Sequence, residues 1–197
     1  MLPNLVHTPK ISFRKLAALE LECYRNGLQL HFDSILLIKA RSYSSAFAIS
    51  VIASEELGKG FGFADMSFQA GFSKRFDADD EMLWKKLLSD HKLKQGWFVS
   101  ELFGPGHMHI LKRYKTIQVD MNDALYVGVR KGNHHIVRPF SIPASKARRQ
   151  VRIVNDGLIS LAETRLRDID FDEDTLDRVF RRRRLLNRLR LAAKRLR

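Results

Sequence analysis

Apolar residues recur every three or four positions over most of the chain, the spacing of helices that pack by one face. Thr8 followed by Pro9 is a typical helix start, so the pattern predicts a first helix extending to about Lys39. The Asn26-Gly27 pair is a weak point where that helix could bend or break. The apolar positions in this segment are Phe13, Leu16, Ala17, Leu19, Cys23, Leu28 and Leu30.

The next predicted helix is apolar on nearly all sides. No charged residue lies between Ala46 and Ala53, and Ser42 or Ser44 can cap the beginning of the helix. A helix of this kind is expected at the centre of a bundle, where neighbours cover every face. It ends in a charged cluster, Glu55-Glu56-Leu57-Gly58-Lys59.

A third helix is predicted after a loop at residues 71–80. It begins at Asp79 or Asp80, runs to about Phe103, and ends at Gly104-Pro105-Gly106. A stripe at steps of three and four runs along one face and places His91 on the inward side. The stripe comprises Trp84, Leu87, Leu88, His91, Gln95, Phe98 and Leu102.

The rest of the chain holds one small β-hairpin and two further helices. Short segments at residues 125–129 and 136–138 flank Lys131-Gly132-Asn133 in the manner of a hairpin. A helix is then predicted from about Pro143 to Arg165, and a final one from Asp172 or Asp174 to the terminus. The pattern as a whole predicts an all-α helical bundle with one small β-hairpin and a basic C-terminal helix.

Composition places the chain among ordinary globular proteins. Its 197 residues are 45% hydrophobic and 29% charged, which suits one folded domain with room for a short extension. The single cysteine, Cys23, cannot form an internal disulfide and is interpreted as an inert packed thiol. Residues 1–10 do not resemble a secretion signal, and the nearly uncharged run at 42–54 is too short to span a bilayer. We therefore expect a cytoplasmic protein.

The formal net charge of +13 favours polyanionic partners: nucleic acid, ribosomes or an anionic membrane surface. The C-terminal segment is a basic amphipathic helix in which leucines interrupt the arginines. We expect Arg181, Arg182, Arg183 and Arg184 to bind RNA or the ribosome through phosphate contacts. Binding to a membrane surface and a solvated extension without a partner are the alternatives.

Two charged clusters are candidates for chemistry. Lys59 follows Glu55 by four residues and Glu56 by three, so it can pair with either on a helix. His91 could meet these glutamates if the second and third helices pack antiparallel, and a carboxylate would then orient its imidazole. The alternative is a charge network that only fixes the register of the helices. Lys92 and Lys94 flank His91 and are candidates for RNA contact.

Three motifs follow one another along the chain. They are the serine- and alanine-rich segment from Tyr43 that ends in Glu-Glu-Leu-Gly-Lys at Lys59, then His91-Lys92-Leu93-Lys94, then Ala124-Leu125-Tyr126-Val127. Their order and spacing resemble the AbiV-type abortive infection proteins of the HEPN superfamily. The resemblance covers roughly residues 10–163. We therefore expect an AbiV-like HEPN helical domain at residues 1–165 and a basic, arginine-rich helical extension at 166–197.

The resemblance implies an α-helical bundle that is often dimeric and acts in prokaryotic defence against phage. Many HEPN proteins are metal-independent endoribonucleases, which implies a target in RNA or the translation apparatus and no metal or other cofactor. It also implies a homodimer, and a phage protein is a further expected partner as activator.

The resemblance also implies a nuclease motif, an arginine followed after four to six residues by a histidine. Arg130 and His135 match it formally, although the match falls on a predicted hairpin and not at the start of a helix. In such a pair His135 would move a proton to or from the attacking 2′-hydroxyl, and Arg130 would stabilise charge on the phosphorane. His91 with Glu56 could substitute. The catalytic candidates are thus Glu55, Glu56, Lys59, His91, Arg130 and His135.

Two readings of another class stay open. The charged clusters could be structural in a non-catalytic module whose basic surface binds RNA, the ribosome or a phage protein. A metal-dependent enzyme using Glu55, Glu56 and His91 is less favoured, because the chain has no Glu-x-x-His pair of the di-iron kind. The two histidines of His107-Met108-His109 give little metal specificity without a fixed third ligand.

Overall fold

The computed structural model describes residues 13–73, 78–104, 124, 128–129, 136–137, 142–168 and 175–196. Six α-helices and one pair of short strands lie in these ranges: α1 Phe13–Lys39, α2 Tyr43–Ser73, α3 Ala78–Ser89, α4 His91–Phe103, β1 Gly128–Val129, β2 Ile136–Val137, α5 Ala144–Asp168 and α6 Thr175–Leu196. The strands pair antiparallel, with Gly128 opposite Val137 and Val129 opposite Ile136. Residues 130–135, which would form the predicted turn, lie outside the described residues.

Helix α2 is the centre of the bundle and packs against α1, α4 and α5. Its first half is buried as its apolar composition predicts, and Ala46, Ala48, Val51 and Ala53 are completely inaccessible. Small side chains at these positions let the neighbouring helices approach closely. In the described part of the chain no helix combines the length and apolarity needed to cross a bilayer.

Helix α1 is continuous through Asn26-Gly27, so the chain does not break at this weak point. Gly27 faces α2, where an added Cβ would lie 2.9 Å from the Leu57 side chain. Packing against α2 therefore offsets the low intrinsic helix propensity of glycine. The helix ends at a tight turn in which Arg41 adopts a φ of 60° and Ser42 N–H donates to the Leu37 carbonyl over 2.9 Å.

The prediction of one helix from Asp79 or Asp80 to Phe103 was wrong, because the segment is two helices. Asp90 adopts an extended conformation, with φ −92° and ψ 105°, and its side chain accepts from the N–H groups of Lys92 and Leu93. It thereby ends α3 and caps α4. Leu88 is 52% exposed and therefore does not belong to the predicted inward stripe.

The predicted loop at residues 71–80 is also too long. Helix α2 continues to Ser73 and α3 begins at Ala78. Gly71 is thus inside a helix despite the low helix propensity of glycine.

Helix α6 packs along α5, with Leu189 and Leu196 buried. Arg190 forms an ion pair of 2.8 Å with Glu163 of α5, and the guanidinium of Arg188 lies 4.2 Å from the ring centroid of Phe32 in α1. Leucines on one face thus attach α6 to the bundle, while arginines remain on its outer face.

Two buried hydrogen bonds also join α1, α5 and α6. Asn155 Nδ2 donates to the carbonyl of Leu189 over 3.1 Å, which turns its Oδ1 toward His31 Nε2 at 2.9 Å. Because Oδ1 only accepts, His31 carries its proton on Nε2. Burial lowers the pKa of His31 from 6.5 to about 4, so the ring is neutral at physiological pH.

Candidate active site

Gly58 sets the close crossing of α2 and α4. A Cβ at this position would overlap the backbone carbonyl of Lys94, and a backbone atom cannot move aside as a side-chain tip can. The glycine of the Glu-Glu-Leu-Gly-Lys motif therefore lets α4 approach α2 closely. That approach brings the first turn of α4 to Glu55.

Glu55 is a buried carboxylate with a donor at each oxygen. Its side chain is 6% exposed. Oε1 accepts from Nε2 of Gln95 at 2.9 Å, and Oε2 lies 2.7 Å from Nδ1 of His91. The ammonium of Lys94 lies 3.8 Å from Oε2 and is also buried. These contacts supply the hydrogen bonds and the counter-charge that a buried carboxylate requires.

His91 is the exposed member of this group. It is the first residue of α4, and its side chain is 52% exposed, so the predicted inward placement holds for Nδ1 but not for the whole ring. A carboxylate that accepts at Nδ1 places the proton of the neutral ring there and leaves Nε2 as a proton acceptor. The pair can therefore act as a base whose orientation is fixed by Glu55. We call Glu55 and His91 the dyad.

Glu56 and Lys59 form a separate ion pair, so the glutamate that meets His91 is Glu55 and not Glu56. Both side chains of this pair are partly buried, at 15% and 19% exposed. Adjacent residues on a helix point about 100° apart, which explains why only one glutamate can face α4. From the sequence we expected His91 to pair with Glu56. The structure corrects this expectation, because His91 pairs with Glu55.

The predicted RNA contacts fall into different environments. Lys92 is exposed beside His91. Lys94 is buried next to Glu55, a placement that suits a partner of the carboxylate and not a contact with RNA. Arg183 and Arg184 are exposed on α6. The side chains of Arg181 and Arg182, and residues Arg130, His135, His107 and His109, lie outside the described residues.

Gln95 is the member of the site that the sequence did not single out. It is 1% exposed and supplies the only side-chain hydrogen bond to Glu55 Oε1 among the described contacts. A signal was present, because Gln95 follows His91 by four residues on the same stripe. Within the described ranges no group of three histidine, cysteine or carboxylate residues could hold a metal ion.

A comparison with protein-family models matches residues 15–158 to the model described as HEPN_AbiV: AbiV. The chain belongs to the AbiV family. The match includes both members of the dyad and ends within α5, so α6 lies beyond it. The AbiV family is a helical one, and the all-α prediction is confirmed by the described helices. The curated proteins and the solved structures gave no match to this AbiV-family chain.

Proposed function

We propose that this AbiV-family protein acts in defence against phage by cleaving RNA without a metal ion, with the dyad as its proton-transfer group. The observation that carries the proposal is the 2.7 Å contact between buried Glu55 and half-exposed His91. A carboxylate that holds one imidazole nitrogen and leaves the other free is a common arrangement in acid-base catalysis.

In the proposed reaction Nε2 of His91 accepts the proton of a ribose 2′-hydroxyl as the 2′-oxygen attacks the adjacent phosphorus. The resulting imidazolium is stabilised by Glu55 and then donates the proton to the 5′-oxygen as the phosphorus–oxygen bond breaks. The products are a 2′,3′-cyclic phosphate and a 5′-hydroxyl. Lys92, exposed in the first turn of α4, would lower the energy of the charged phosphorane, aided by the positive end of the helix dipole.

The family motif gives Arg130 and His135 as the alternative to the dyad. Arg130 would stabilise charge on the phosphorane, and His135 would transfer the proton. Because this pair and the dyad would perform the same step, variants of His91 and His135 distinguish them.

Exposed arginines on α6 supply the proposed RNA contacts. Arg183 and Arg184 form no ion pair within the described ranges, and Arg181 and Arg182 precede them on the same helix. If the protein makes about six phosphate contacts, raising the salt concentration from about 50 to 200 mM should lower its affinity for RNA roughly a thousandfold. The target would be RNA or the ribosome in the cytoplasm.

The family also motivates two proposals about partners. One is a homodimer, which a monomeric mass in light scattering at micromolar concentration would contradict. The other is a phage protein that activates the enzyme. Its test is RNA cleavage by the purified protein with and without an extract of phage-infected cells.

Purified protein should cleave total RNA in the presence of EDTA. The new ends should carry 2′,3′-cyclic phosphates and 5′-hydroxyls, which ligation-based end mapping detects. Intact RNA both in EDTA and with an infected-cell extract would contradict the nuclease proposal.

A non-catalytic RNA-binding module is the second candidate. It is favoured by the complete set of partners around Glu55, since Gln95 and Lys94 are what a purely structural network would also contain. RNA binding without cleavage, together with loss of folding stability in Glu55→Gln, would support this candidate over the nuclease.

A further inference from the structure

Helices α1 and α6 both pack against α5, and they meet where Arg188 stacks on Phe32. Two apolar clusters follow the chain order of both helices, which shows that the helices run in the same direction: the first holds Leu28 and Phe32 with Leu185 and Leu189, and the second holds Ile35 and Ile38 with Ala192 and Leu196. The stacking of Arg188 on Phe32 marks one level along the two helices.

Two leucines lie one turn beyond that contact, one on each helix. Leu36 follows Phe32 by four residues and is 58% exposed, and Leu191 follows Arg188 by three and is 54% exposed. Because the helices run in the same direction, both leucines lie at the same level. An isolated exposed leucine is ordinary, but two at one level on helices that meet through Arg188 and Phe32 offer a partner one apolar contact on each helix.

Each leucine has a cation one turn further along its helix, and the carboxylate of Asp33 lies one turn before Leu36. Lys39 follows Leu36 by three residues and Arg195 follows Leu191 by four, and both are exposed. Neither forms an ion pair with an acidic residue in the described part of the chain. We define the α1–α6 surface as Phe32, Leu36, Lys39, Arg188, Leu191 and Arg195.

We propose that the α1–α6 surface binds an acidic, amphipathic helical segment of another protein. Apolar side chains of that segment would cover Leu36 and Leu191, and its carboxylates would pair with Lys39 and Arg195. This proposal is independent of RNA cleavage.

Two other occupants fit the surface less well. Single-stranded RNA binds through exposed aromatic faces, whereas Phe32 is already covered by Arg188 and aliphatic leucines offer bases no stacking. A second copy that presented the same face would oppose like charges, in a chain with 35 Lys and Arg residues against 22 Asp and Glu residues. An acidic partner has neither disadvantage.

Two labelled helical peptides of about five turns test the proposal against the full-length protein. One carries leucines on one face and glutamates elsewhere, and the other has each leucine replaced by glutamine at the same charge. At about 150 mM salt, where exposed charges are largely screened, fluorescence anisotropy should show the leucine peptide binding at least about tenfold more tightly. Equal binding of the two peptides would overturn the proposal.

The double variant Leu36→Ser/Leu191→Ser should remove the difference between the peptides. Leu88→Ser, at a leucine of α3 that is 52% exposed, is the matched control and should preserve it. Loss of the difference in the control, or its persistence in the double variant, would contradict the proposed location. Circular dichroism checks that both variants fold.

Two further measurements separate the other occupants. The double variant should bind a single-stranded RNA as tightly as the wild type, and its mass in light scattering should be unchanged. If the double variant lost RNA binding as well as peptide binding, the surface would be a nucleic-acid surface. If it changed from a dimer to a monomer, the surface would be a self-association face. Either result would overturn the proposal of an acidic partner.

Discussion

The imidazole Nδ1 of His91 lies 2.7 Å from Oε2 of Glu55, and this contact joins the exposed start of α4 to the buried centre of α2. At His31 the other ring nitrogen makes the contact, because Nε2 faces Asn155. The two histidines therefore bind their partners through different ring nitrogens.

The first prediction concerns these tautomers. Neutral His91 should carry its proton on Nδ1, because Glu55 accepts there, and His31 should carry its proton on Nε2, because Asn155 Oδ1 accepts there. Long-range proton–nitrogen NMR correlations distinguish the two forms. His31 is an internal control in the same spectrum, and an Nε2–H tautomer at His91 would show that the dyad does not form in solution.

Gln95→Leu should weaken the dyad without removing either member. Loss of the Nε2 donor leaves Oε1 of Glu55 buried without its hydrogen bond, so the carboxylate no longer holds His91 in one orientation. We expect RNA cleavage to slow about tenfold or more in single turnover, with a mixed tautomer at His91. Gln150→Leu is the matched control, since Gln150 is also buried and its Nε2 has no partner among the described residues. Equal effects of the two substitutions would indicate a general loss of packing.

Gly58→Ala should be strongly destabilising. The new methyl group would overlap the Lys94 carbonyl, and only separation of α2 from α4 could make room. Chemical denaturation should show a loss of at least about 3 kcal/mol. Gly62→Ala, where the added atom meets the flexible end of Leu87, should cost about 1 kcal/mol. A near-neutral Gly58→Ala would contradict the close crossing that positions the dyad.

His31 should make the stability of the fold depend on pH. Because its pKa falls from 6.5 to about 4 on folding, the unfolded chain binds the additional proton between these values. Its contribution, roughly 3 kcal/mol, is complete above pH 6.5 and is lost as the pH falls to about 4. Denaturation at several pH values should show this slope in the wild type and a smaller one in His31→Gln. Equal slopes would contradict the assignment to His31.

The helices could be predicted from the sequence wherever the buried residues recur every three or four positions. Val154 and Leu158 are buried as their spacing in α5 predicts, and the uniformly apolar start of α2 lies at the centre. The break at Asp90 was not predictable from spacing, because the stripe of residues continues through it as if through one helix. Its signal was chemical, since an aspartate at that position can cap α4.

The sequence predicted which two helices contribute to the candidate site. It did not predict how the two helices are aligned against each other. Periodicity places Glu55 and Glu56 on one helix and His91 on another, yet it does not say which glutamate faces the imidazole. That choice depends on the contact between Gly58 and the Lys94 backbone, which is a tertiary feature. The same contact buries Lys94, whose charge suggested an exposed RNA contact in the sequence.

If the dyad performs the proton transfer, single-turnover cleavage of RNA in EDTA depends on both of its members. His91→Ala should slow cleavage at least about a hundredfold and Glu55→Gln about tenfold or more. Glu56→Ala and His135→Ala should retain activity near that of the wild type. Cleavage that survives His91→Ala but is abolished by His135→Ala would rule out proton transfer by the dyad and assign catalysis to the Arg130 and His135 pair.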